Sequence, residues 1–137
     1  MDDVRRVVGP DGGHGERGQR ADGAPHVAPR WFVWTDEAIY VACDRDSRTW
    51  RNAEADPRVG LSAEIGRSWT DLAGFSCEGR AVLLPAEDPS MRRPISAWHE
   101  KYRGLLQGDG FERLAGRIER LGFLRVEPGE VRTWDHR

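Results

Sequence analysis

The chain has 137 residues, room for one domain and not comfortably for two. Lysine plus arginine number 21 against 23 acids, and a net charge of −2 argues against a protein that coats nucleic acid. The longest unbroken apolar run, Ala38–Cys43, has six residues, whereas a membrane helix needs about 20; with no apolar secretory signal either, no membrane segment and a soluble, cytoplasmic protein are expected.

Residues 9–23 carry six glycines and no aliphatic side chain larger than alanine. Such a stretch cannot bury enough surface to offset its ordering entropy. Residues 1–23 are therefore expected to be a flexible arm ahead of a single domain at 24–137, with Val4–Val8 either a strand fragment or a tail. From Pro25 to Trp34 the sequence PHVAPRWFVW is rich in β-branched and aromatic residues. A polar turn at residues 35–37 separates it from Ala38–Cys43, and the pair reads as a β-hairpin. Ile39, Val41 and Cys43 share one face of the second strand. Trp31 and Trp34 fall on opposite faces of the first, which sends one of them to the core.

Ser47 is a helix N-cap in the making, since its hydroxyl can accept a free backbone N–H two or three residues on. The helix it starts, Arg48 to Ala55, must end before Pro57. Val59, Leu61, Ala63 and Ile65 then alternate with small or polar residues, as in a half-buried strand. Phe75, Cys77, Ala81 and Leu83 line one face of the next strand, in which Gly79 marks a bulge or a close backbone approach. Cys43 and Cys77 read as buried structural thiols. The four histidines are scattered without metal-ligand spacing.

At Asp88-Pro89 the period changes from two to about 3.6, and Ile95, Trp98, Tyr102 and Leu105 or Leu106 form one helical face. After Gly108-Asp109-Gly110, residues Leu114, Ile118 and Leu121 predict a second amphipathic helix stopped by Gly122. Phe123–Val126 and Val131–Trp134 close the chain as strands around Pro128-Gly129. The order β, β, short α, β, β, α, α, β, β predicts a mainly β fold, an antiparallel barrel with helices on its flank.

Several short strings, taken in order, resemble the flavin-binding split-barrel superfamily, which includes pyridoxamine 5'-phosphate oxidases and the deazaflavin F420-dependent reductases. They are Ala24-Pro25-His26-Val27-Ala28-Pro29 running into Trp31-Phe32-Val33-Trp34, Ser47-Arg48, Arg51-Asn52 before Asp56-Pro57-Arg58, Glu78-Gly79-Arg80-Ala81, and the closing Val126-Glu127-Pro128 with Val131–Trp134. The resemblance covers residues 24–134. It implies a six-stranded split barrel that forms a homodimer, with FMN or F420 held in grooves at the dimer interface.

On that resemblance, Ser47 and Arg48 grip the cofactor phosphate, with Thr49, Arg51 and Asn52 on the same helix. A helix N-terminus suits an anion because its first amides are unpaired and its dipole is positive there. Solvated surface arginines beside a simple cap are the bland alternative. The backbone of His26, Val27, Ala28, Pro29 and Trp31 is placed along the ring edge. Trp134 matches the aromatic that reaches the neighbouring subunit's cofactor in relatives, though packing on its own barrel fits equally well. Trp50 and Trp69 are expected to rim the groove or serve the dimer contact.

Two departures stand out. Relatives usually carry lysine two residues after the serine, where this chain has Thr49; losing such a contact costs roughly 1–3 kcal/mol when desolvated. Relatives also open with a helix and an apolar strand, where this chain has the glycine-rich arm. Two function classes follow. One is an FMN- or F420-dependent oxidoreductase acting on a small organic substrate, its catalytic residues unassigned. The other is a non-enzymatic split barrel that carries flavin, haem or another planar ligand. A hydrolase is disfavoured, because no nucleophile elbow or Ser/His/Asp order is present.

Overall fold

The computed structural model describes residues 4–10, 25–35, 38–105 and 120–137. Its strands are β1 (Val4–Pro10), β2 (Pro25–Arg30), β3 (Phe32–Thr35), β4 (Ala38–Asp44), β5 (Arg58–Ile65), β6 (Ala73–Pro85), β7 (Leu121–Val126) and β8 (Val131–Asp135). Among the described residues two α-helices, α1 (Arg48–Ala55) and α2 (Arg92–Tyr102), accompany them. No helix among the described residues is long and apolar enough to cross a membrane.

All pairings are antiparallel, in the order β2-β1-β5-β6-β7-β4-β3, with β8 added on β6. The first and last strands of that path, β2 and β3, are consecutive in the chain, so the sheet curls back on itself into a split barrel. Strand β6 joins the two halves. Its first part pairs with β5 and β8, and from Ala81 onward it pairs with β7. At the changeover Gly79 has no Cβ because one would meet the Glu127 carbonyl oxygen at 2.7 Å; this is the close backbone approach that its position in a strand predicts.

The expected single strand over residues 25–34 is two strands broken at Trp31, so only its second half makes a hairpin with Ala38–Asp44. The first half pairs with β1 instead. Residues 4–10 thus lie between β2 and β5 inside the sheet rather than forming part of an arm. The glycine-rich residues 11–24, the turn at 36–37, and the predicted helix around Leu114 and Ile118 lie outside the described residues. Leu121 belongs not to that helix but to β7, where it pairs with Asp44.

Among the described residues, two apolar clusters hold the fold. Inside the barrel, Ile39, Val41 and Cys43 of β4 meet Val59, Leu61 and Ala63 of β5, Phe75, Cys77 and Ala81 of β6, and Leu124 and Val126 of β7. The alternate residues of β3, β4 and β7 (Val33, Ala42, Phe123) pack outward beneath Trp98 and Tyr102 of α2, with Met91 just before it. These strands are therefore buried on both faces, by barrel and helix. Strand β3 ends the path and its outer edge is covered by α2. The Tyr102 hydroxyl accepts from the Phe32 N–H and donates to the Phe32 carbonyl, each at 3.0 Å, while Lys101 Nζ donates to the same carbonyl at 2.8 Å. Side chains here replace the missing strand neighbour.

Tyr102→Phe removes both hydroxyl bonds and leaves a buried N–H unpaired. It is expected to lower stability by about 1–3 kcal/mol, seen as a fall in urea midpoint; an unchanged midpoint would exclude this edge role. A Cβ on Gly122 would run into the Trp50 ring. Gly122→Ala is therefore expected to cost about 1–3 kcal/mol by overpacking, with much of the loss recovered in the Gly122→Ala/Trp50→Leu pair relative to Trp50→Leu alone. Simple additivity in that cycle would show that the ring and the glycine are not in contact.

Candidate functional site

Helix α1 follows β4 through a tight turn in which the Ser47 N–H donates to the Asp44 carbonyl at 3.0 Å. The Ser47 hydroxyl then accepts from the Trp50 N–H at 3.2 Å, the cap expected from sequence. The helix stops at Asp56 before Pro57, also as expected. Its rotation is set by Trp50 and Ala53, which join the barrel core. Trp50 is 7% exposed and its Nε1 donates to Glu54 at 3.2 Å, so it fills the barrel end rather than rimming a groove. Trp69, by contrast, is 75% exposed and its ring meets His136 edge-on.

That rotation divides the remaining polar residues of α1. Arg48 and Arg51 are exposed on the outer face, while Thr49 and Asn52 are buried, at 5% and 6% exposure. Arg30, the last residue of β2, reaches the inner face, where its Nη2 donates to Thr49 Oγ1 at 3.0 Å. The Nε of Arg30 and the Nδ2 of Asn52 are buried without a hydrogen-bond partner. Cys43 adjoins the same corner: burial pushes its thiol up to about 12, against the opposing pull of the Arg30 charge and a hydrogen bond with Ser47. It is a neutral thiol at any physiological pH.

The structure thus brings Ser47, Arg48, Thr49, Arg51 and Asn52 together on one eight-residue helix and sets the end of β2 beside it. On β2, Ala28 shares the face of Arg30 and is buried, whereas Val27 and Pro29 are exposed and His26 is half-buried. No strand among the described residues pairs with the second edge of β2. Of the two tryptophans on opposite faces, Trp31 is the one that packs against a core cluster. Its ring is stacked on Tyr102, with centroids 4.6 Å apart and planes 10° from parallel, and so packs against α2. Trp34 lies on the opposite face with its centroid 5.0 Å from that of Phe75, and is 41% exposed. Trp134 packs on its own sheet, where a Cβ on Gly74 would stand 2.7 Å from its ring.

Sequence reasoning passed over Arg30, although it named both neighbours. The signal was its parity: counted from buried Ala28, residue 30 faces inward, and a charged side chain at an inward strand position needs a polar reason.

The geometry is that of a known family. The family profile described as pyridoxamine 5'-phosphate oxidase matches residues 19–135. Among solved structures, a conserved hypothetical protein from Mycobacterium tuberculosis is 27% identical, with a TM-score of 0.69 over 97% of this chain and 78% of that one. The haem storage protein HutZ from Vibrio cholerae is 16% identical, with a TM-score of 0.69 over 98% of this chain and 85% of its own. A structure described as an F420 reductase is 18% identical, with a TM-score of 0.67 over 96% and 90% of the two chains. No curated protein matches the sequence. With a profile match spanning most of its length and the barrel to go with it, the chain belongs to the pyridoxamine 5'-phosphate oxidase family.

Proposed function

We propose that this chain is an oxidoreductase that binds FMN, or in its place the deazaflavin F420, by the phosphate at the start of α1, and acts on a small organic substrate. The observation that carries the reading is the Ser47-capped start of α1, with Arg48 in its first turn and Arg30 of β2 bonded to Thr49 beside it. A phosphate there meets the positive end of the helix dipole, together with guanidinium forks.

Ser47, Arg48 and Thr49 hold the phosphate in this reading, with Arg51 on the same outer face as Arg48. The edge of β2 that no described strand pairs, at residues 26–29, meets the ring. A bound flavin or deazaflavin supplies hydride transfer, and the protein supplies binding, orientation and exclusion of water. No side chain is assigned a proton. Membership of the family and the fold of the F420 reductase both support the reading. It includes a homodimer whose partner covers the ring and a cytoplasmic location. The shared fold of the haem storage protein makes a non-enzymatic haem or flavin carrier the second reading.

Absorbance of the purified protein separates the two, since a flavin band supports the first and a haem Soret band the second. Titration with FMN and with F420 then tests the site. Arg48→Ala is expected to weaken whichever cofactor binds by about tenfold or more, the worth of a charged hydrogen bond. Equal affinity in both proteins would overturn the assignment of the phosphate to α1.

A further inference from the structure

We infer that Arg30, a strand residue, is a cofactor-phosphate ligand of this chain and takes over the cationic role that helix position 49 does not fill. The inference rests on the phosphate reading above and adds to it a residue from a different element.

Three observations carry it. Arg30 is partly buried yet, among the described residues, forms no salt bridge, and the one hydrogen bond its side chain makes there is to the Thr49 hydroxyl, a neutral group. Its Nε is fully buried and unpartnered. A guanidinium carries five donors and cannot shed its charge, so burying it beside neutral groups is costly unless an anion completes the site. Cys43, whose thiol feels the Arg30 charge, stays protonated and supplies no anion. Independently, Asn52 is 6% exposed with its Nδ2 unpartnered. It stands one turn after Thr49 on the inner face, and its Cα–Cβ bond tilts toward the helix N-terminus. Two buried donor groups, one on β2 and one on the inner face of α1, therefore lack acceptors, and the start of that helix favours an anion.

The Thr49 contact explains how a strand residue serves a helix terminus. A threonine there is short, leaving the space its longer counterparts would take, and its hydroxyl accepts the 3.0 Å bond that holds the guanidinium in place.

The test is a charge relocation. FMN, F420 and the corresponding rings without phosphate are titrated into wild type, Arg30→Leu, Thr49→Lys and the double variant, with thermal melts of each. Arg30→Leu is expected to weaken the phosphorylated cofactor about tenfold and leave the phosphate-free ring unchanged. The double variant is expected to regain most of that loss. Thr49→Lys alone, with two cations in one corner, is expected to melt lower than either wild type or the double variant. Equal loss for both forms of the ring would make Arg30 merely structural and overturn the inference, as would no loss, or no recovery in the double variant. If Arg48→Ala weakens binding while Arg30→Leu does not, the inference falls and the phosphate reading stands. If wild type binds neither cofactor, the oxidoreductase reading falls; protection of the melt by inorganic phosphate, abolished in Arg30→Leu, would then uphold the anion site alone, and its absence in wild type would overturn that too.

Discussion

The seating of Trp50 against Gly122 is the contact on which the functional corner depends. An eight-residue helix is too short to hold itself together in water and takes its stability from what it packs against. Here the indole fills the end of the barrel and lies on a residue of β7 that has no side chain. With a period of 3.6 residues, fixing residue 50 inward fixes its neighbours as well. Positions 49, 52 and 53 must face the barrel, and 48 and 51 must face out. A rotation of one residue would bury an arginine with no partner, at a cost of several kcal/mol. One apolar contact thereby decides which polar groups surround the helix N-terminus.

A second constraint acts from the opposite side of β3. Chain residues 25–34 cross from one end of the sheet path to the other, and the crossing is at Trp31. Its ring is held by stacking on Tyr102, while the hydroxyl of that tyrosine and the ammonium of Lys101 hold the backbone of Phe32. With residues 31 and 32 pinned to α2, residue 30 is the last that can turn the other way. Arg30 reaches α1 because its successor is committed to α2. The two helices, on different sides of the barrel, are linked through adjacent residues of one strand crossing.

Much of this was legible in the sequence, for local reasons. Helix α1 announces itself by a serine cap and a proline stop, both acting within a few residues of the helix. Strands β5 and β6 follow from alternation, which any one-sided sheet imposes. The break at Trp31 was not legible, because every residue from 26 to 34 other than Pro29 tolerates a strand and only the distant partners, β1 and β4, decide where one pairing ends. Leu121 fits a helical face with Ile118 and equally a strand face with Phe123; its pairing with Asp44 settles the matter. Trp50 sits among charged residues and so reads as a surface aromatic until Gly122 is brought against it. Arg30 needed the direction of the strand, which only the burial of Ala28 reveals.

The corner at α1 also shows how binding and stability trade against each other. Arg30 contributes a full charge, the helix end a partial one, and the groups that line them are a hydroxyl, an amide and a thiol that burial keeps neutral. A hydrophobic residue at position 30 would satisfy the barrel better, since it would bury no charge. If the corner holds the cofactor phosphate as proposed, retaining the guanidinium exchanges stability for a fixed positive potential, since preorganised charge binds an anion without reorganising the site. The apolar wedge of Trp50 makes this arrangement tolerable. It anchors the helix through packing alone, so the polar face next to it need not contribute to folding and is left to serve a ligand.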